Sequence, residues 1–212
     1  MRIVRVYWQS IKHLNYRGYI YVWANLLWVV LTILVFTAPA AWVGLMVLTH
    51  RANTRTRVTL DDFWDGFKIH FWRATLNGVI SLLVFGINIS NLLAYTPVDW
   101  LGNVIAMIWF LTLLIWIGMQ LYLWTIIEEM ATPSLWLGYR NAFLMVVRNP
   151  FITLALIIVT LITLIVSIFL PPLILLLTGS IITVFAVIAT LNCLQHAGYQ
   201  NTEHHIPIEN RI

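Results

Sequence analysis

Two adjacent carboxylates are the residues of this sequence whose type and position most suggest chemistry. Glu128 and Glu129 directly follow a long apolar run that ends in Thr125-Ile126-Ile127. A carboxylate at membrane depth is costly and usually has a function, such as binding a proton or a cation. The competing interpretation is that the pair ends a helix in cytoplasmic water. The polar residues that follow favour this second interpretation, so we expect solvated glutamates.

Polar side chains inside apolar segments form a second group of candidates. Asn88, Ser90 and Asn91 cluster near one end of a predicted helix, where they could line a path for a polar substrate. Hydrogen bonding between helices, at ~0.6–2 kcal/mol for each bond, is the simpler explanation. The same explanation covers Asn77 and Gln120.

Metal and cofactor motifs are missing from the sequence. His196, Glu203, His204 and His205 have no spacing typical of a metal site, and the single cysteine, Cys193, excludes a cysteine cluster. The chain has no P-loop, no Gly-x-Ser-x-Gly elbow, no His-Glu-x-x-His helix and no Rossmann fingerprint. We therefore expect no catalytic residue, no metal and no cofactor.

One short phrase recurs along the chain. Trp64-Asp65-Gly66-Phe67-Lys68-Ile69-His70-Phe71 is similar to Trp136-Leu137-Gly138-Tyr139-Arg140-Asn141-Ala142-Phe143, and a weaker copy begins at Trp8. The tryptophans can anchor at the membrane interface, and the glycines allow close helix approach. The phrases can also contact a partner protein. The candidate contact residues are Trp64, Gly66, Phe67, Lys68 and Phe71 in one copy and Trp136, Gly138, Tyr139, Arg140 and Phe143 in the other.

Each phrase precedes an apolar stretch that contains proline. The prolines are Pro39, Pro97 and the pair Pro171-Pro172. This pattern predicts a unit that is used three times, in which an amphipathic interfacial helix leads into a membrane hairpin turned at proline. The proposed repeats cover residues 1–52, 59–129 and 132–197, and a polar tail covers 198–212.

Composition places the chain in the membrane. It has 212 residues, of which 61% are hydrophobic and only 9% charged, and its mean hydropathy is +0.87. A soluble domain has about 25% charged residues. We predict a single all-α domain, a polytopic helical membrane protein with five to six membrane segments in the three hairpins. The net charge of +4 reflects basic loops held at the cytoplasmic side and does not indicate nucleic acid.

The sequence does not decide the form of the first hairpin. Residues 40–49 are short for a span of about 20 residues. They could re-enter the membrane, span it, or continue one long kinked helix. The basic loop with Arg51, Arg55 and Arg57 belongs on the same side as the basic amino terminus, which favours a re-entrant arm. Both termini are then cytoplasmic.

An ordered set of residues gives a family resemblance. Asn25-Leu26-Leu27-Trp28, then Pro39, then Phe63-Trp64-x-x-Phe67-Lys68-x-x-Phe71-x-x-Ala74 resembles the YesL-like family of bacterial integral membrane proteins, a family defined by a domain of unknown function. The resemblance covers roughly residues 15–90. It implies a multi-pass protein of the bacterial plasma membrane that accompanies binding-protein-dependent sugar uptake. It supplies no catalytic residues.

Three functions follow as hypotheses. The first is a non-enzymatic accessory component whose partners are the lipid bilayer and subunits of a sugar-uptake transporter, with the face formed by Phe63, Phe67 and Phe71 as the contact. The second is an independent transporter of small solutes or lipid. The third is an intramembrane enzyme acting on lipid-linked substrates, for which Glu128, Glu129 and His196 are the only suitable groups.

Overall fold

The computed structural model describes residues 2–94 and 100–198, and these residues form helices with no strand among them. The prediction of an all-α protein is confirmed. The expectations that concern Pro97, Glu203, His204 and His205 lie outside the described residues. The helices are α1 (Arg2–Ile33), α2 (Ala38–Thr54), α3 (Asp61–Ala94), α4 (Trp100–Glu128), α5 (Leu135–Arg148), α6 (Pro150–Phe169), α7 (Pro171–Leu176) and α8 (Thr178–His196).

Four helices of the described chain are long and apolar enough to cross a membrane, namely α3, α4, α6 and α8. The apolar part of α1, Gly18–Ile33, is shorter. Large apolar side chains such as Phe151 and Phe169 are almost fully exposed on the outside of the bundle. A contiguous apolar surface of this kind requires lipid or another protein to cover it. The chain is therefore a polytopic helical membrane protein.

Helix α2 excludes one of the three forms considered for the first hairpin, the single long kinked helix. A turn over residues 34–37 separates it from α1, with the amide of Thr37 donating to the carbonyl of Leu34 at 2.7 Å. The rings of Trp28 and Trp42 are in contact with centroids 6.0 Å apart, so α2 folds back along α1 and does not continue it. Most of its residues are buried. Its first turn lies beside Gly78, and α3 continues beyond this level to Ala94.

Three central helices each pack against one outer helix, in an order that closes into a ring. Helices α2, α4 and α8 contact each other and form the centre of the bundle. The largest contacts with outer helices are those of α2 with α3, α4 with α5 and α8 with α1. The outer helices α3 and α5, which carry the repeated phrase, thus pack on the central helix of the preceding hairpin. Helix α1 packs on the central helix of the last hairpin, which closes the ring.

Glycines allow these contacts. A Cβ added to Gly66 would lie 2.6 Å from Cβ of Val47 on α2, and one added to Gly138 would lie 2.8 Å from Cγ1 of Ile127 on α4. The glycine of the phrase therefore faces a central helix in both copies, as its close-packing interpretation predicts. The first copy has Ser10 at this position, and it is also buried. The three-unit repeat itself stays a prediction.

The amphipathic segments differ from the expectation in one respect. The first two are continuous with the following apolar helix, since α1 has 32 residues and α3 has 34 without a break. Only α5 is a separate helix. Pro150 supplies no amide hydrogen and begins a new helix, α6, directly after the C-cap residue Asn149.

Candidate functional site

Two histidine–glutamate pairs lie at one end of the bundle. His50 is in the last turns of α2, and its Nε2 lies 2.6 Å from Oε1 of Glu129, directly after α4. His70 is on the buried side of α3, and its Nε2 lies 2.7 Å from Oε1 of Glu128. We call these four residues the His–Glu cluster. Consecutive glutamates thus bind α4 to two different helices.

The cluster is mostly shielded from solvent. The side chains of His50 and Glu129 are 9% and 6% exposed, and those of His70 and Glu128 are 4% and 17% exposed. The Nδ1 atoms of both imidazoles are buried, and neither has a hydrogen-bond partner among the described residues. The ring of Trp124 contacts that of His70 with centroids 5.7 Å apart. Each histidine therefore keeps one nitrogen that is not used by its glutamate.

A second set of charges adjoins the cluster. The guanidinium of Arg51 donates to Oδ1 of Asp62 at 2.8 Å and to Oδ2 of Asp65 at 3.0 Å. Burial opposes the charge of Arg51, but hydrogen bonds to both aspartates and the negative fields of Asp62 and Glu128 raise its pKa above the ordinary value. These contacts connect the end of α2 to the start of α3.

The pair ends a helix as expected, because α4 ends at Glu128, but the expectation that both carboxylates are solvated is wrong. Helix α4 continues to Glu128, and its last turns are buried against neighbouring helices. The two carboxylates therefore meet histidines on α2 and α3. His196, the third member of the set considered for an enzyme, is exposed at the end of α8. No local pattern in the sequence identified His50 and His70 as partners, because both are far from the glutamates in the chain.

Another polar group lies between α3, α4 and α5. The hydroxyl of Tyr139 donates to Oδ1 of Asn77, and Nδ2 of Asn77 donates to Oε1 of Gln120 at 3.1 Å. The ring of Trp116 stacks on Tyr139 with centroids 5.6 Å apart. Asn77 and Gln120 therefore make the interhelical hydrogen bond expected of them.

The three residues proposed for a polar path do not share one polar surface. Asn88 is buried and donates to the carbonyl of Val84, one turn earlier on α3. Asn91 donates in the same way to Ile87, and Ser90 is exposed. The Nδ2 groups of both asparagines thus donate within their own helix, whereas the buried Oδ1 of Asn88 has no hydrogen-bond partner among the described residues. This arrangement offers no continuous row of polar groups along α3.

The residues of the repeated phrase divide between core and surface. Gly66 and Gly138 are buried, and Trp64, Phe67, Phe71 and Tyr139 are half-buried. Among the ten candidate contact residues, the exposed ones are Lys68, Trp136, Arg140 and Phe143. The expectation of a partner-contact face at Phe63, Phe67 and Phe71 is wrong for Phe63. That residue is fully buried because its backbone and ring meet Gly44 of α2.

No group of three or more histidine, cysteine, aspartate or glutamate side chains within residues 2–94 and 100–198 is arranged to hold a metal ion. The cluster thus consists of paired acids and bases. Its possible chemistry is the exchange of protons, and its hydrogen bonds join α4 to α2 and α3.

Comparison with known proteins found a similarity that covers part of this site. Residues 21–92 match the family model described as "Protein of unknown function, DUF624". The matched region runs from α1 into α3 and contains His50, Arg51, Asp62 and His70, whereas Glu128 and Glu129 lie beyond it. No curated protein and no solved structure matches the chain.

Proposed function

We propose that this membrane protein is a non-enzymatic accessory component of the bacterial plasma membrane that associates with a carbohydrate (oligosaccharide) uptake system. The outward face of α5 is the observation that carries this proposal. The carbohydrate and the bacterial membrane rest on the resemblance of residues 15–90 to YesL-like proteins, and the match to an uncharacterised family overlaps that region.

One side of helix α5 is buried, and the opposite side is exposed. Gly138, Ala142, Met145 and Val146 are buried, and Gly138 packs against α4. The opposite side exposes Trp136 by 78%, Phe143 by 46% and Val147 by 57%. Arg140 is exposed on the same side, at helical spacing from Trp136 and Phe143. Tryptophan, phenylalanine and arginine are residues that protein interfaces favour.

The length of α5 separates it from the spanning helices. It has 14 residues, and the structure joins it to α6 through Asn149. A helix of this length is about 21 Å long, which is less than the ~30 Å hydrocarbon core of a bilayer. A separate amphipathic helix at the end of the bundle is suited to contact a neighbouring membrane subunit.

The paired ionisable groups support a non-enzymatic role. His50, His70, Glu128 and Glu129 bind one another across helices, and Arg51 binds Asp62 and Asp65. Groups with these partners hold helices together. An active site would instead direct an acid and a base toward a substrate.

The test is purification of the complex from the native host in mild detergent, followed by quantitative mass spectrometry. We expect subunits of a sugar permease at fixed stoichiometry with the wild-type chain. The double variant Trp136→Ala/Arg140→Glu should lose them. Phe151→Ala on α6 is the matched control, because Phe151 is also 78% exposed but lies on a spanning helix. Equal recovery with the double variant, or recovery of lipid alone with the wild type, would contradict the proposal.

The second candidate is an independent transporter, which the buried His–Glu cluster favours, because ionisable groups inside membrane bundles often mark proton or ion pathways. Reconstitution of the purified chain into vesicles distinguishes the two. Solute uptake without any partner would support the transporter, and no uptake together with a stable permease complex would support the accessory role.

A further inference from the structure

Two buried polar atoms, one on α3 and one on α4, have no hydrogen-bond partner among the described residues. They are Oγ of Ser81 and Nε1 of Trp116. Both helices are among those long and apolar enough to cross a membrane. A buried hydroxyl or indole N–H group normally has a partner, because burial without one loses the hydrogen bond that water would make.

The register of the two helices places Ser81 opposite Trp116. Helices α3 and α4 are antiparallel, as two contacts between them show, that of Glu128 within the His–Glu cluster and that of Asn77 with Gln120. Ser81 is four residues after Asn77, and Trp116 is four residues before Gln120. Each therefore lies on the same side of its helix as that contact, about 6 Å further along in the same direction. The two unpartnered atoms thus belong to side chains that face each other.

Neighbouring side chains hold this position in place. Oε1 of Gln120 accepts from Nδ2 of Asn77 at 3.1 Å, and the side chain of Gln120 also interacts with that of Tyr139. The ring of Trp116 stacks on Tyr139 with centroids 5.6 Å apart. The indole is therefore fixed between α3 and α5, and its N–H group cannot turn away without breaking that stack.

The absence of nearby charge on α3 and α4 decides what kind of ligand fits. On α3 the nearest charged residue to Ser81 is Arg73, about 12 Å along the helix, and on α4 the nearest to Trp116 is Glu128, about 18 Å along the helix. Arg140 on α5 is exposed. An ion at this position would be buried without a partner of opposite sign, which is costly. The ligand must therefore be neutral and able both to accept and to donate a hydrogen bond.

We propose that the α3–α4 contact contains a binding site for a hydroxyl oxygen, held between Nε1–H of Trp116 and Oγ of Ser81. The oxygen accepts a hydrogen bond from the indole and donates its hydrogen to the serine, so both buried atoms gain a partner. Gln120, one turn from Trp116 on the same side of α4, can supply a third contact through Nε2. Water carries a hydroxyl group of this kind, and so does a polyol.

The first experiment observes Trp116 directly, in the full chain in lipid nanodiscs. Nitrogen–proton NMR of tryptophan-labelled protein resolves the indole N–H groups, and Trp116→Phe identifies the resonance of Trp116 because that resonance disappears. We expect magnetisation transfer from water to this proton in plain buffer. In buffer with glycerol, transfer from the carbon-bound protons of glycerol would identify a polyol as the occupant. Transfer from neither water nor glycerol would overturn the proposal.

Two serines on α3 provide a matched comparison for the same spectrum. Ser81→Ala removes the proposed acceptor, whereas Ser90→Ala makes the same change at an exposed position of the same helix. We expect Ser81→Ala to shift the indole resonance of Trp116 and Ser90→Ala to leave it unchanged. Equal spectra of the two variants would contradict the placement of Ser81 at the site.

Thermal unfolding gives a second test, in which the sign of the effect decides. If a hydroxyl group is bound, Ser81→Ala removes one of its partners, and the midpoint should fall below that of Ser90→Ala. The combined variant Ser81→Ala/Trp116→Phe should then lose less than the sum of the single changes, because both side chains bind the same oxygen. If nothing is bound, Ser81→Ala removes a buried polar atom without a partner, and the midpoint should rise. A rise would overturn the proposal.

Neither measurement depends on the presence of a sugar permease. The site could therefore be confirmed while the accessory role fails, and the reverse result is equally possible.

Discussion

His50 and Glu129 are 79 positions apart in the chain, and their side chains meet at 2.6 Å between Nε2 and Oε1. The contact joins the end of the buried helix α2 to the residue after α4. It lies beside the equivalent contact of His70 with Glu128. The first two predicted hairpins are thus joined by a side-chain contact at one end of the bundle.

Breaking this pair should destabilise the bundle. We expect His50→Ala and Glu129→Ala each to lower the free energy of unfolding by about 1–3 kcal/mol, because each leaves a buried polar partner unsatisfied. The double variant should cost less than the sum of the two single changes. Denaturant unfolding in detergent provides the measurement, with Arg57→Ala, at an exposed position in the loop after α2, as the control. Strict additivity would show that the two side chains do not interact.

Gly66 should not tolerate a methyl group. An added Cβ would be 2.6 Å from Cβ of Val47, and a clash with a Cβ atom can be relieved only by moving α2 from α3. We expect Gly66→Ala to cost about 1–3 kcal/mol, as overpacking usually does. Gly86 has nothing within 4 Å of the corresponding position, so Gly86→Ala should be neutral or stabilising by up to about 1 kcal/mol. Thermal unfolding of the two variants compares them, and similar midpoints would contradict the close contact.

The contact of α4 with α6 permits a rescue experiment. A Cβ on Gly118 would be 2.6 Å from Cγ2 of Thr153, whose hydroxyl lies 3.1 Å from that of Tyr122. Thr153→Ser removes the methyl group and keeps the hydroxyl. We expect Gly118→Ala to destabilise by about 1–3 kcal/mol and Thr153→Ser to recover a large part of this loss. If the serine change adds its own loss instead, the two positions are not in contact.

The hydroxyl of Tyr139 should contribute to stability. Tyr139→Phe keeps the ring stacked on Trp116 but leaves Oδ1 of Asn77 without that donor. We expect a loss of about 1–2 kcal/mol, in the range measured for buried hydrogen bonds. Tyr19→Phe is the matched control, since Tyr19 is 79% exposed. An equal effect of the two changes would argue against the bond to Asn77.

Membrane orientation can be tested with single cysteines. In a Cys193→Ser background, Arg57→Cys lies in the basic loop between α2 and α3, and Trp100→Cys lies at the opposite end of the predicted second hairpin. By the positive-inside rule, a membrane-impermeant maleimide should label position 57 only from the cytoplasmic side and position 100 only from outside. The reverse labelling pattern would invert the topology.

Hydropathy and composition determined the fold class, because spanning helices are a local property of apolar runs. The glycine of the repeated phrase was also interpreted correctly, since Gly66 and Gly138 both face a central helix. Phe63 was misassigned to a partner surface, because an apolar face at helical spacing looks the same whether it contacts its own core or another protein. The prediction of three separate amphipathic helices is wrong for the first two. A polar-to-apolar change in composition does not end a helix unless a breaker such as Pro150 follows.

The apolar runs and the basic residues that flank them are enough to predict a chain that enters the membrane as helices. The central position of α2 and the contacts of Glu128 and Glu129 with His70 and His50 became visible with the packed helices. Hydrophobicity acts residue by residue and can be read along the chain. The environment of a charge depends on which distant helices pack around it, and that packing is fixed by close contacts such as those at Gly66 and Gly118.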